Sequence, residues 1–164
     1  MKSDADEIEA AVNLLSAMVS FLQATADGLS FEELHWKPSP SEFSLVEHVC
    51  HVRDLEREGF GIRIERLLRE VNPALPDFDG AAIALARDYN SGDFADALDE
   101  FRTARSANVA RLAGLDANEL ARSGTQEGVG RVSLGDIPGK MQEHDEAHRA
   151  EILALRERLD EGLP

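Results

Sequence analysis

Apolar residues recur at every third or fourth position in four separate stretches of this chain, and alternating polar and apolar runs are almost absent. A period near 3.6 buries one face of a helix, whereas a half-buried strand needs a period of two, so the pattern predicts an all-α protein. The first stretch, from about Ser3 to Thr25, carries Ile8, Ala11, Val12, Leu15, Met18, Val19 and Leu22 as one stripe. The second runs from Leu45 to Val71. Leu45, Val49, Val52, Phe60 and Leu67 lie on one side of it, with Leu55 and Ile62 on the flank. Ser44 and Glu47 have capping-box spacing before it, and Asn72-Pro73 ends it. The third, Phe94 to Leu112, has Asp93 as N-cap and Gly114 as its stop. The fourth runs to Asp160. Ser133 with Asp136 offers its cap, and Pro138, which lacks a donor, places its start near Asp136.

The connections arrange these helices. Residues 72–92 form the longest one, punctuated by Pro73, Pro76, Gly80 and Gly92, with a short helix expected over 81–89. A connection of that length crosses between parallel neighbours, so the expected architecture is a four-helix bundle with a long crossover between helices two and three. Pro38 and Pro40 make 34–40 an extended lead-in to the second helix, and Ser123 to Gly130 reads as a loop or a short hairpin turn. Without repeats or low-complexity tracts, 1–164 is one domain, long enough to bury a core without disulfides.

Charge narrows the partners. With 32 acidic and 17 basic residues, a net charge of −15 and a pI near 4.6, the surface field repels nucleic acid and anionic lipid. No apolar run approaches the ~20 residues that span a bilayer, and the acidic Met1 to Glu7 segment does not resemble a signal peptide. The expected location is the cytoplasm and the expected partner a small-molecule substrate. The single cysteine, Cys50, agrees with a reducing compartment and reads as a small buried hydrophobe.

Histidines carry the chemistry. His144 and His148 stand four apart on the last helix, so their rings project from one face and one metal can bridge them. The second helix offers His48, near the centre of the apolar stripe, and His51, beside Leu55 and Ile62; the helical wheel favours neither. Three neutral imidazoles leave open coordination positions, the arrangement of a catalytic site and not of a closed structural one. Such ligands suit a divalent ion, zinc or nickel first, with iron or manganese as further choices. A di-iron bundle site needs two Glu-x-x-His motifs and two more glutamates, and only Glu32 to His35, expected in a loop, has that spacing. His35 is therefore read as a packing or solvent-facing residue. Asp54, Glu143, Asp145 and Glu151 lie close enough in sequence to accept the second ring proton of a ligand, or are ordinary solvated carboxylates.

The chain resembles the DinB/YfiT-like superfamily of metal-dependent enzymes from about Leu34 to Leu155. The likeness rests on Trp36-Lys37-Pro38, on a capped helix whose first ligand histidine stands seven residues after Ser44, and on His144-x-x-x-His148. His51-Val52-Arg53-Asp54-Leu55-Glu56, the crossover segment from Asn72 to Asp79 and the Gly128 to Leu134 segment add to it. That register implies His51, and not His48, as the third ligand. The sequence departs from its relatives at Glu151, where they often have Gln, at Phe43, where many have Trp, and at Pro138-Gly139. The resemblance implies a metal between helices two and four and a homodimer, to which Leu68 and Ile64, outside the clear core stripe, add slight support. It also implies a transferase using a low-molecular-weight thiol such as bacillithiol or mycothiol. A metal-dependent hydrolase, or a small-molecule-binding bundle without turnover, are the alternatives.

Overall fold

The computed structural model describes residues 4–163, with side chains from residue 6; the predicted helix start at Ser3 lies outside them. α1 (Asp4–Ala26) leads through a short α2 (Phe31–His35) to α3 (Leu45–Asp54). α3 continues through a π-helical segment (Leu55–Phe60) into α4 (Gly61–Arg69). The crossover contains β1 (Ala74–Leu75) and α5 (Gly80–Ala86), and α6 (Phe94–Ala113) follows. Then come α7 (Ala117–Leu120), β2 (Ser123–Gln126), β3 (Gly130–Ser133) and α8 (Ile137–Asp160). α3 packs on α6 and α8, and α1 on the same two helices, which closes the four-helix bundle that the periodicity predicts.

The predicted starts hold for stated reasons. Ser44 Oγ accepts the Glu47 N–H at 3.1 Å, and the Glu47 carboxylate accepts the Ser44 N–H at 2.8 Å, so two orphan donors of α3 are satisfied reciprocally. Asp93 accepts from Asp96 at the start of α6. Ser133 and Asp136 cap a 3₁₀ turn that runs into α8, whose first turn holds Pro138. The expected loop at Glu32 to His35 is instead α2, because Ser30 and Glu33 form a second capping box and the prolines act only after Trp36.

The π segment corrects the reading of the second helix. A π-turn admits an extra residue and shifts the phase of everything after it by about 100°. Accordingly Ile62, expected on the core flank, is 37% exposed, while Ile64, expected outside the stripe, is fully buried. Leu68 also packs against the core, so neither residue supports a dimer.

The residues from 123 onward do more than turn. β2 pairs antiparallel with β3 and parallel with β1, with Leu75 opposite Gln126, so a three-stranded sheet ties the crossover to the segment before α8. Short strands without alternation leave little periodic signal, which hid them in the sequence. One buried cluster, including Met18, Leu22, Val49, Phe101 and Ile152, fills one part of the bundle, and another, including Leu15, Ile64, Leu67, Leu112 and Met141, fills the rest.

The expectation about membrane-length segments is also corrected. Asp6–Ala26 is long and apolar enough by composition to cross a membrane, because no charge interrupts 10–26 even though polar residues do. In the bundle this helix turns Leu15, Met18 and Leu22 into the core, each fully buried.

Candidate metal centre

α3 and α8 bring three imidazoles together. His51 Nε2 lies 3.1 Å from His144 Nε2, and one ligand nitrogen from each of His51, His144 and His148 falls within 4.8 Å of the others. The ring centroids of His144 and His148 are 4.4 Å apart, as a four-residue helical spacing requires, and those of His51 and His148 4.7 Å. His51 and His148 are buried, and His144 is half-buried. Burial holds His51 down to about 4, against the opposing pull of Asp54. Burial and the neighbouring imidazoles hold His144 and His148 down to about 3. All three rings are therefore neutral near pH 7, the form that offers a lone pair to a metal.

The donor set fits a divalent ion. Among the described residues the nitrogens of these rings hydrogen-bond only to other imidazoles, and His51 Nδ1 is buried with no partner at all. Metal–nitrogen bonds of ~2.0–2.1 Å separate neighbouring ligand nitrogens by about 3 Å, close to the His51 to His144 spacing.

His48 falls outside this trio yet touches it. Its Nδ1 lies 2.9 Å from His148 Nδ1, and its Nε2 lies 3.8 Å from Glu151 Oε2. Burial, then His148 and His51, hold it down to about 3. Glu151 also approaches His148 Nδ1 to 4.0 Å, so His48, His148 and Glu151 form a second group that shares His148 with the first. The wheel ambiguity thus has a physical origin: both histidines of α3 face α8, one turn of it apart.

Two of the suspected supporting carboxylates are engaged elsewhere. Asp54 accepts from Arg53, Arg87 and Tyr89, and these bonds keep its carboxyl below the usual range although burial opposes them. Asp145 accepts two bonds from Arg105, at 2.7 and 2.9 Å, and none from the rings among the described residues. Glu143 makes no hydrogen bond or ion pair with the rings among the described residues. Glu151 comes nearest to the expected place, 4.0 Å from His148 Nδ1, without a hydrogen bond to it. Cys50 is buried with its thiol toward the Tyr89 carbonyl and pushed up to about 11 by burial, the inert small hydrophobe expected. His35 lies against the Phe31 and Gly92 carbonyls, away from the trio.

The crossover holds His51 from the other side. A Cβ at Gly80 would stand 2.5 Å from His51 Cε1 and 2.8 Å from Nδ1, so the first residue of α5 must be glycine for this ring position. Phe43 and Phe78 flank the same ring, with centroids 5.7 and 5.9 Å away. Sequence reasoning took Gly80 as loop punctuation, and only packing reveals this second role.

Two clefts open on the histidines. One of about 500 Å³ is lined by Phe43, His48, His51, His148, Glu42 and Glu151, and so carries acidic side chains. The other, of about 250 Å³, is lined by His51, His144, Phe78, Arg63, Gln126 and Lys140. A pocket of about 430 Å³ between α1, α7 and the start of α8 has small and apolar walls with Glu7, and none of the histidines reaches it.

The profile of the DinB superfamily matches residues 14–152. No curated protein matches the chain. Among solved structures it is similar to YfiT from Bacillus subtilis, described as a probable metal-dependent hydrolase with an unusual four-helix bundle topology. The TM-score is 0.84 at 19% identity, over 93% of this chain and 87% of that one, a likeness of fold.

Proposed function

Because this chain belongs to the DinB superfamily, we propose that it is a divalent-metal-dependent enzyme acting on a small molecule, with His51, His144 and His148 as the metal ligands. The observation that carries the reading is the cluster of three neutral, mutually facing imidazoles where two clefts meet. A zinc or nickel ion held there supplies Lewis acidity and lowers the pKa of a coordinated thiol or water. The chain's own residues supply the rest. Gly80, Phe43 and Phe78 fix the His51 ring, and His48 Nδ1 fixes the His148 ring through Nδ1.

Thiol transfer is the preferred chemistry. Cys50 is buried and its thiol is raised, so the protein's own sulfur is not the nucleophile, and a low-molecular-weight thiol entering a cleft takes that role. One observation favours a second reading, hydrolysis. The Glu151 carboxyl, raised by burial and by Glu42, sits at the edge of the larger cleft, where it is placed to take a proton from water. YfiT's description as a probable hydrolase supports the same alternative. A cytoplasmic location and a homodimer complete the proposal.

The test incubates metal-loaded protein with a chlorinated aromatic electrophile and a panel of low-molecular-weight thiols, following conjugate formation. Metal-dependent conjugation that persists in Cys50→Ala supports thiol transfer. Metal-dependent cleavage of esters or amides without any conjugation selects the hydrolase. Bound metal with neither reaction leaves a binding role.

A further inference from the structure

Arg63 is an anomaly in a chain with 32 acidic residues. It is 6% exposed and forms no ion pair among the described residues, although a buried unpaired charge is costly. Its Nε donates to the Pro76 carbonyl at 3.2 Å, and its guanidinium lies over the Phe60 ring at 5.5 Å. These contacts fix the side chain and leave both Nη groups without a hydrogen-bond partner among the described residues. The acid whose charge acts on it is Asp77, an exposed residue.

The π segment gives Arg63 its direction. Twelve residues of ideal α-helix would carry it about 120° around from His51, and the phase shift of about 100° removes most of that. Arg63 and His51 consequently line the same 250 Å³ cleft. Lys140 lines it too, one helical turn before His144 on α8, half-buried and without an ion pair among the described residues. Gln126 completes the wall. Pairing of β1 with β2 sets it opposite Leu75, beside the Pro76 that holds Arg63, and its amide makes no hydrogen bond within the described residues.

Two cations and a free amide thus converge beside His51 and His144, while the larger cleft on the other side of the rings carries Glu42 and Glu151. We propose that the smaller cleft is a carboxylate subsite, in which Arg63 and Lys140 bind the carboxylate of the substrate or of the thiol while its reacting group reaches the metal. The assignment rests on the metal-dependent reading above and adds the substrate class: a small acid, held by charge-assisted bonds.

The experiment uses the full chain, first measuring metal content, then titrating the zinc-loaded protein by calorimetry with two matched pairs. The pairs are 3-mercaptopropionate with 3-mercaptopropionamide, and succinate with succinamide; the first tests a carboxylate on the thiol, the second one on its co-substrate. Wild type should bind the acid at least about tenfold more tightly than the amide in one pair, the magnitude of a hydrogen bond to a charged group. Lys140→Gln should weaken that preference severalfold, and Arg63→Gln/Lys140→Gln should abolish it, with zinc content and amide affinity unchanged. Arg63→Lys, which keeps the charge, should fold if the glutamine variant does not and should retain part of the preference. Equal affinity within both pairs, or a preference that survives in the double variant, overturns the subsite. If wild type holds no zinc, the metal reading fails, and the same titrations on the metal-free chain decide the subsite separately: a preference weakened in Lys140→Gln and lost in Arg63→Gln/Lys140→Gln sustains it, and an absent preference or one that survives in the double variant overturns it.

Discussion

His51, His144 and His148 differ from ordinary surface histidines in that burial keeps them unprotonated, and both metal affinity and stability follow from that. Replacing His51 by Ala, or His144 and His148 together, should abolish the one ion bound per chain, measured by elemental analysis of protein purified without a polyhistidine tag. Full occupancy in either variant would remove the assignment. His48→Ala should keep the ion but bind it on the order of 10- to 100-fold more weakly, the usual effect of losing a group that orients a ligand. Gly80→Ala separates positioning from folding. Alanine favours a helix start by up to about 1 kcal/mol over glycine, yet its Cβ would collide with the His51 ring, so metal affinity should fall while the thermal midpoint of the metal-free protein does not. A variant that binds metal normally would show that the ring has room.

Proton linkage gives a further prediction for the same side chains. In the unfolded chain each ring titrates near 6.5, and in the folded chain His51 only near 4 and His48, His144 and His148 near 3. Between those values the unfolded chain holds more protons. Stability of the metal-free protein is therefore complete above about pH 6.5 and drains as the pH falls toward 4, by at most about 1.4 kcal/mol per pH unit for each ring. Urea midpoints in chelator at pH 7, 6 and 5 measure it. His144→Asn/His148→Asn should show a shallower decline, and an unchanged slope would mean that these rings are not buried neutral.

Among the elements, α8 matters most, and a buried ionic network sets its position. Arg105 of α6 binds Asp145 through both terminal nitrogens, and also Glu56 of the π segment and the Leu15 carbonyl of α1. Asp145 directly follows His144, so this network fixes the rotation of α8 that points the rings at α3. Asn108 adds two bonds to Glu56, one to its carbonyl and one to its carboxylate, each 3.0 Å. Arg105→Met should cost about 3–5 kcal/mol, because it leaves two buried carboxylates without their cation. Chemical denaturation checks this, and a loss below about 1 kcal/mol would show that the network is dispensable.

At the scale of the whole molecule, the sheet fastens the crossover against the end of the bundle, so Gly80 and Phe78 reach His51 from a segment that periodicity could only describe as a connection. The outer surface bears on assembly. Leu14 of α1 and Leu153 of α8, on helices that pack together, are 54% and 53% exposed. We propose that these exposed leucines take part in the homodimer that the family resemblance implies. Light scattering at micromolar concentration should return twice 18.0 kDa, and Leu14→Glu/Leu153→Glu should return one chain's mass. A wild-type mass of one chain would count against the dimer.

The four helices, their caps at Ser44, Asp93 and Ser133, and the pairing of His144 with His148 were legible because each depends on residues within one or two turns of each other. The third histidine was legible from periodicity only as a choice between His48 and His51, which the resemblance narrowed to His51, since both face α8 and a wheel cannot measure distance across a bundle. What the sequence could not show came from contacts between distant segments. The π-turn moved Ile64 inward and brought Arg63 onto the His51 face, and the strand pairing carried Gln126 to the same cleft. Arg105 took Asp145 away from the histidines. Local hydrogen bonding and periodicity decide which residues form a helix and which face is apolar; which side chains meet across it is decided by packing, where burial pairs most polar groups and leaves a few, His51 Nδ1 among them, without a partner.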